Sequence, residues 1–306
     1  MDEISETSSY NYKKGIAAFI GTYLIWSFQP LYWNLFGELD TSVLMAGRIL
    51  FAGLFCVLVL WAAGRLPELR SAFQSPAVMR RELPAAVFLA ADWLVYLFAA
   101  RNGRLLEISL GYYIMPLVVF LFGALLFKEP VQPAHFGALG LVIIGVILSV
   151  KGFGEAPWVT ASLAVCFAVY SAIKKSLTVD SIVSTTVEIL LMTPFALAYL
   201  LWSMGGGRAG ANLPGEIWLL LAGGGLVTAL PMLFYSIGIR WVPLTGFGLF
   251  EYLSPTFGLL CSRILGERLT REKLISFVFI WLGVLVYVLT IIRPREKKDK
   301  SESVER

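Results

Sequence analysis

Four ionisable side chains stand where a chain has little reason to keep them. Arg48, Asp92, Glu188 and Glu251 each lie inside a long apolar run. In hydrocarbon such groups are costly, face the interior of a bundle, and mark ion or substrate paths. Three are acids and one is a base, so together they could bind a polar small molecule and exchange protons. Aromatic residues accompany them. Tyr112, Tyr113 and Tyr252 lie close to two interior prolines, Pro116 and Pro255, while Trp26 and Trp93 are deep in their runs. Each proline removes an N–H and frees the carbonyl four residues earlier, on Tyr112 and on Glu251. A freed carbonyl at membrane depth has to meet protein, water or ligand. These residues define a candidate substrate cavity, with Pro116 and Pro255 as helix kinks and Asp92 and Glu188 as the candidates for proton coupling. Packing offers a second reading of the same pattern. Arg48 and Glu188 could fix two helices, Asp92 could be a neutral carboxyl bonded to a neighbour, and the prolines and tryptophans could serve packing alone.

The elements that must position these groups are membrane helices. The chain has 306 residues, 58% hydrophobic and only 15% charged, with a mean hydropathy of +0.75. A soluble domain is nearer about 45–50% apolar and about 25% charged. A crossing needs about 20 mostly apolar residues. Ten such spans occur, at 15–34, 41–63, 82–100, 105–127, 133–151, 156–173, 181–203, 214–239, 243–265 and 272–292. The expected fold is an all-α integral membrane protein of ten transmembrane helices. The longest connection, 64–81, carries Pro67, Pro76 and four arginines.

Lys and Arg set orientation. With both termini cytoplasmic, the inner side holds 16 of them, Lys174 and Lys175 included, and the outer side 7. At about 1.5 Å of rise per residue, Asp92 lies about 15 Å deep, at the midplane. Arg48 is about 10 Å in from the outer face, and Glu188 and Glu251 about 10 Å in from the inner one. An ion pair between Arg48 and Glu188 is open on this geometry but not required by it.

Several functions are disfavoured. The three cysteines are far apart and within apolar runs, and the single His135 has no ligand companion at helical spacing, so no metal or cofactor is expected. The net charge of +4 comes largely from a mixed C-terminal tail, which does not suit nucleic acid. The glycine runs at 205–208 and 223–225 lack the Lys-Ser/Thr of a phosphate-binding loop. They fit a loop and close helix packing. Neither clustered acids nor an H-E-x-x-H helix points to a membrane enzyme. A channel or scaffold is the alternative class, but a channel calls for a continuous polar file, and here the polar groups gather at mid-depth.

The chain also repeats. At an offset of 139 residues, "ARNGRLLEISLGYYIMP" lies over "IRWVPLTGFGLFEYLSP", pairing Arg101 with Arg240, Tyr113 with Tyr252, and Pro116 with Pro255. At an offset of 140, Arg48 falls on Glu188. This divides the chain into an N-terminal tail (1–14), two five-span halves (15–151 and 152–292) and a C-terminal tail (293–306), both tails cytoplasmic. Five is odd, so the halves would insert with opposite orientation. Inverted repeats of this kind are typical of secondary transporters.

The motifs "WSFQP", "DWLVYLFA", "LLEISLGYYIMPL", "VYSAIKK", "EILLMTP" and "GLFEYLSPT…GERL" cover nearly the whole chain. On them the sequence resembles the drug/metabolite transporter superfamily, EamA-type, and within it the RarD branch. The resemblance implies two inverted five-helix EamA repeats in the bacterial inner membrane and export of small metabolites or drugs. Its implied partners are a small-molecule substrate and the lipid bilayer. Arg48, Glu107 and Glu188 match the branch's pattern. Asp92, Met115 and Glu251 depart from it, standing where the branch commonly has Asn, Asn and Gln.

Overall fold

Long apolar runs with few turn residues favour helices, and the computed structural model is helical wherever it describes regular structure. It describes residues 2–101, 105–131, 133–150, 158–205, 213–245, 250–252 and short pieces between 275 and 289. Pro255, most of the expected spans 243–265 and 272–292, the tail 293–306 and the side chain of Glu107 lie outside the described residues. The helices are α1 (Asp2–Trp33), α2 (Thr41–Ala62), α3 (Leu66–Gln74), α4 (Pro76–Arg101), α5 (Leu105–Leu126), α6 (Pro133–Val150), α7 (Trp158–Ser176), α8 (Ser181–Met204) and α9 (Gly215–Trp241). A one-turn 3-10 helix, Asn34–Phe36, follows α1. Eight of the ten expected spans coincide with α1, α2 and α4 to α9. Among the described residues α2, α8 and α9 are each long and apolar enough to cross a bilayer.

Two details differ from the sequence expectation. Helix α1 does not begin near residue 15 but extends back through the polar N-terminal residues. The 64–81 connection contains a helix of its own. Pro67 in its first turn and Glu68 beside it favour initiation, and Leu69 and Ala72 turn one face onto α8. The spacing of Leu66, Leu69 and Phe73 carried that signal, but the surrounding arginines and prolines obscured it.

The bundle is apolar outside and carries polar groups among its buried apolar residues. Phe195, Leu219, Leu125, Leu201 and Leu94 project outward, while Ser171, Thr185, Thr186 and Glu188 are buried. Lipid tails accept that exterior. With no hydrophobic force between helices in lipid, small residues govern their approach. Gly225 brings α9 against the backbone of α2 at Phe51, and Gly53 brings α2 against Thr193 of α8. The glycines at 223–225 are therefore packing residues, as expected.

Contacts run mainly between the first and second halves of the chain. Helix α1 packs on α9, and α4 on α7; α2 packs on α9, and α4 on α8; α2 and α8 pack on each other. One proline-freed carbonyl is met inside the bundle. Pro231 in α9 releases the carbonyl of Val227, which accepts from Gln29 Nε2 at 2.8 Å. Thr22 Oγ1 donates to the carbonyl of Pro231 itself at 3.2 Å.

One end of the bundle, rich in Lys and Arg, is tied across elements. Arg65 pairs with Asp180 at 2.9 Å, and Arg81 donates to the carbonyl of Ser176. Lys175 donates to the carbonyl of Val242 at 2.6 Å. The Glu129 carboxylate accepts from the amides of Leu244 and Thr245 at 2.8 and 2.7 Å. Asp180 also caps α8, accepting from the amides of Ile182 and Val183, as Asp40 caps α2.

Partial burial alone would raise the Asp180 carboxyl, but Arg65 and the two amides hold it below the ordinary aspartate value. A depressed carboxyl stabilises the fold above its unfolded value and loses that contribution as pH falls through the folded one. The thermal midpoint of Asp180→Asn should accordingly lie below wild type at neutral pH. The gap should close below about pH 4. A constant gap across a pH series of thermal melts would refute this assignment.

Candidate functional site

The interior polar groups form three clusters. The first is built by the start of α2, the middle of α4 and the first half of α5. The Arg48 guanidinium lies over the ring of Trp93 at 4.7 Å and over Trp33 at 5.5 Å. Cation–π contacts of this kind are worth about 0.5–2 kcal/mol, more when desolvated. Tyr96, Tyr112 and Asp92 lie within electrostatic reach of the same charge. Arg48 Nε and Asp92 Oδ1 have no hydrogen-bond partner among the described residues. The cluster thus offers one donor and one acceptor, framed by aromatic rings, with nothing described to satisfy them.

The second cluster lies where α5 meets residues 250–252. The Tyr252 hydroxyl donates to the carbonyl of Tyr113 at 2.6 Å. Glu251 is buried, and neither carboxylate oxygen has a hydrogen-bond partner among the described residues. Tyr23, Tyr235 and Asp92 are its electrostatic neighbours, so this cluster communicates with the first. Pro116 is buried within α5, and the helix continues through it to Leu126. Trp26 stands edge-on to Tyr23 and Phe167 in the aromatic core.

The third cluster lies toward the Lys- and Arg-rich end. Lys174 Nζ pairs with Glu188 Oε1 at 2.8 Å, the two side chains being 2% and 0% exposed. The same ammonium donates to Ser184 Oγ at 2.8 Å and Thr185 Oγ1 at 3.2 Å, so all three protons are placed. The Tyr170 hydroxyl donates to Glu188 Oε2 at 3.2 Å. Glu188 is therefore the partner of Lys174; Arg48 belongs to a different cluster. Lys174 is also not a solvated loop charge, as the charge tally had it, but a buried one.

The family model of EamA-like transporters matches residues 13–151 and again 157–289. The chain belongs to the EamA-like transporter family. It is 34% identical to the uncharacterized transporter YojE of Bacillus subtilis, over 92% of this chain and 95% of that protein. It is 28% identical to the protein RarD of Escherichia coli, over 94% and 98%. A solved structure 22% identical to it superposes with a TM-score of 0.75, covering 92% of this chain and 99% of its own. That likeness establishes the fold. Like its relatives in the EamA-like family, this chain is a membrane transporter.

Within that family setting, the residues singled out in sequence sort unevenly. Arg48, Asp92, Trp93 and Tyr112 come together. Tyr113, Tyr252 and Glu251 gather beside them, and Glu188 stands apart with Lys174. Sequence reasoning missed Trp33, Tyr96, Tyr170 and Lys174. Lys174 is one turn beyond Tyr170, on the face that buries Phe167 and Ser171. That periodicity was the available signal. Being two residues from the end of α7 at Ser176 made Lys174 look solvated.

Proposed function

We propose that the chain is a secondary transporter of small metabolites or drugs, working by alternating access between two inverted five-helix halves in the bacterial inner membrane. Arg48, Asp92, Tyr112 and Trp93 form the substrate site in this reading, with Glu251, Tyr113 and Tyr252 beside it. The observation that carries it is that Arg48 Nε, with its guanidinium over Trp33 and Trp93, and the neighbouring Asp92 Oδ1 have no hydrogen-bond partner among the described residues. Unsatisfied polar groups in a buried site are costly unless a ligand completes them.

Support for paired halves comes from contacts. Under the exchange of α1 with α7, α2 with α8 and α4 with α9, the contact α1–α9 becomes α7–α4, and α2–α9 becomes α8–α4. Tyr113 and Tyr252 are 139 residues apart and touch, as a residue and its mate do on a twofold axis. Gly53 and Thr193, 140 apart, also meet. The caps Asp40 and Asp180 have the same spacing. The family model matching two successive stretches points the same way.

The test uses inside-out membrane vesicles and a labelled panel of small metabolites and antibiotics. Arg48→Ala should lower flux of any accepted compound at least about tenfold, the equivalent of one charged hydrogen bond of about 1.5–3 kcal/mol. Wild-type flux in that variant, at equal amounts of folded protein, would remove Arg48 from the site.

A further inference from the structure

The first turns of α4 carry a residue that no part of the proposed substrate site uses. Glu82 is 0% exposed, and neither carboxylate oxygen has a hydrogen-bond partner among the described residues. It lies beside the third cluster, in electrostatic contact with Glu188 and Lys174 and close to Ser184 without reaching hydrogen-bond geometry. The groups around it come from every neighbouring helix. Helix α7 contributes Lys174 and Tyr170, and α8 contributes Ser184 and Glu188. From α9 Tyr235 faces Glu188, and from α2 Cys56 faces Lys174 and Thr186. The charged groups of α3 are turned outward, with Glu68 committed to Arg65 at 2.7 Å. On α5, Tyr112 is engaged with Asp92 farther along the bundle.

Among the described residues the charges do not balance. Two fully buried carboxylates share one ammonium, and Lys174 has already spent its three donors on Glu188, Ser184 and Thr185. A net negative charge in such a place is strongly disfavoured. Two acids sharing a site cannot both remain ionised cheaply, and one proton restores neutrality. A metal cation would have to displace the ammonium that occupies the centre. A proton needs no room.

We propose that Glu82 is the proton-binding member of the Glu82–Glu188 acid pair organised by Lys174, holding one exchangeable proton while Glu188 stays paired. The proton enters from water at the Lys- and Arg-rich end and adds to a carboxylate oxygen; on release it returns to water, leaving the second carboxylate. Coupling this exchange to flux rests on the transporter reading above, but the binding itself does not.

The experiment reads the proton directly. Purified protein in detergent is titrated while the infrared carbonyl band of protonated carboxyls is recorded, with no substrate present. Wild type should lose one carboxyl's worth of band from this pair as pH rises. Glu82→Gln should remove that component while melting at or above the wild-type temperature, because the amide is neutral in the way the protonated acid is. Asp92→Asn and Glu251→Gln should leave the component in place. A component that persists in Glu82→Gln overturns the proposal, and so does a Glu82→Gln protein that fails to fold. Displacement of the band by sodium at constant pH would make the site a metal-cation site and overturn it as well. Flux measured in vesicles stands apart. Loss of the band component with no flux in wild type would sink the transporter reading and leave the proton site standing.

Discussion

Lys174→Met protein should lose about 3–5 kcal/mol of stability and essentially all transport. The substitution keeps the volume of the stem but strips Glu188 of its counter-charge at a position with 0% exposure. Ser184 and Thr185 lose the donor that orients them, and Glu82 loses the one cation beside it among the described residues. A buried ion pair is often replaceable by apolar residues at little cost, whereas a half-pair is not. The double variant Lys174→Met/Glu188→Leu should therefore recover most of the thermal midpoint. It should not recover flux, if this cluster does more than hold helices together. Melting curves of both variants in detergent, with vesicle flux at matched protein levels, check the two halves separately. A Lys174→Met protein as stable as wild type would mean that the pair at 2.8 Å contributes nothing to the fold.

The second large effect concerns packing. A Cβ at Gly225 would lie 2.5 Å from the carbonyl carbon of Phe51 and 2.7 Å from the amide nitrogen of Ala52. Both are backbone atoms, so no side-chain rotation relieves the clash. Gly225→Leu has to push α9 away from α2 along a contact that also buries Gly47 against Leu221. Overpacking typically costs about 1–3 kcal/mol where side chains can adjust, and here they cannot. The expected result is a thermal midpoint too low to purify a folded protein. Leu226→Ala, one residue along and exposed on the outer face, should melt close to wild type. Comparable melting of the two would show that the helices tolerate separation at Gly225.

The spans were legible because crossing a bilayer imposes a long apolar run, and nothing else in the chain produces one. The interior groups Arg48, Asp92, Glu188 and Glu251 were legible for a related reason: a charge within such a run has to be explained. What stayed hidden were charges near the ends of runs. Lys174 and Glu82 lie where a long side chain ordinarily reaches water, and only the approach of α4, α7 and α8 reveals that they do not. Partnership was hidden as well. The 140-residue offset relates Arg48 to Glu188, but a twofold relation brings two residues together only when they lie on the axis. Tyr113 and Tyr252, at the 139-residue offset, touch; Arg48 and Glu188 stand in different clusters. Helix α3 escaped notice because nine residues with several charges do not look like a membrane element, although its buried face is only Leu69 and Ala72.

The ties at the Lys- and Arg-rich end act as a latch. Arg65–Asp180, Arg81–Ser176, Lys175–Val242 and Glu129 on Leu244 and Thr245 join five different connections and helix ends. Each is worth about 0.5–3 kcal/mol, with the charged ones at the upper end. In the alternating-access reading proposed above, opening at this end breaks these bonds together, and its frequency depends on ionic strength because the Arg65–Asp180 ion pair weakens in salt. The amides of Leu244 and Thr245 are its natural clock. Their hydrogen–deuterium exchange reports each time the latch lifts.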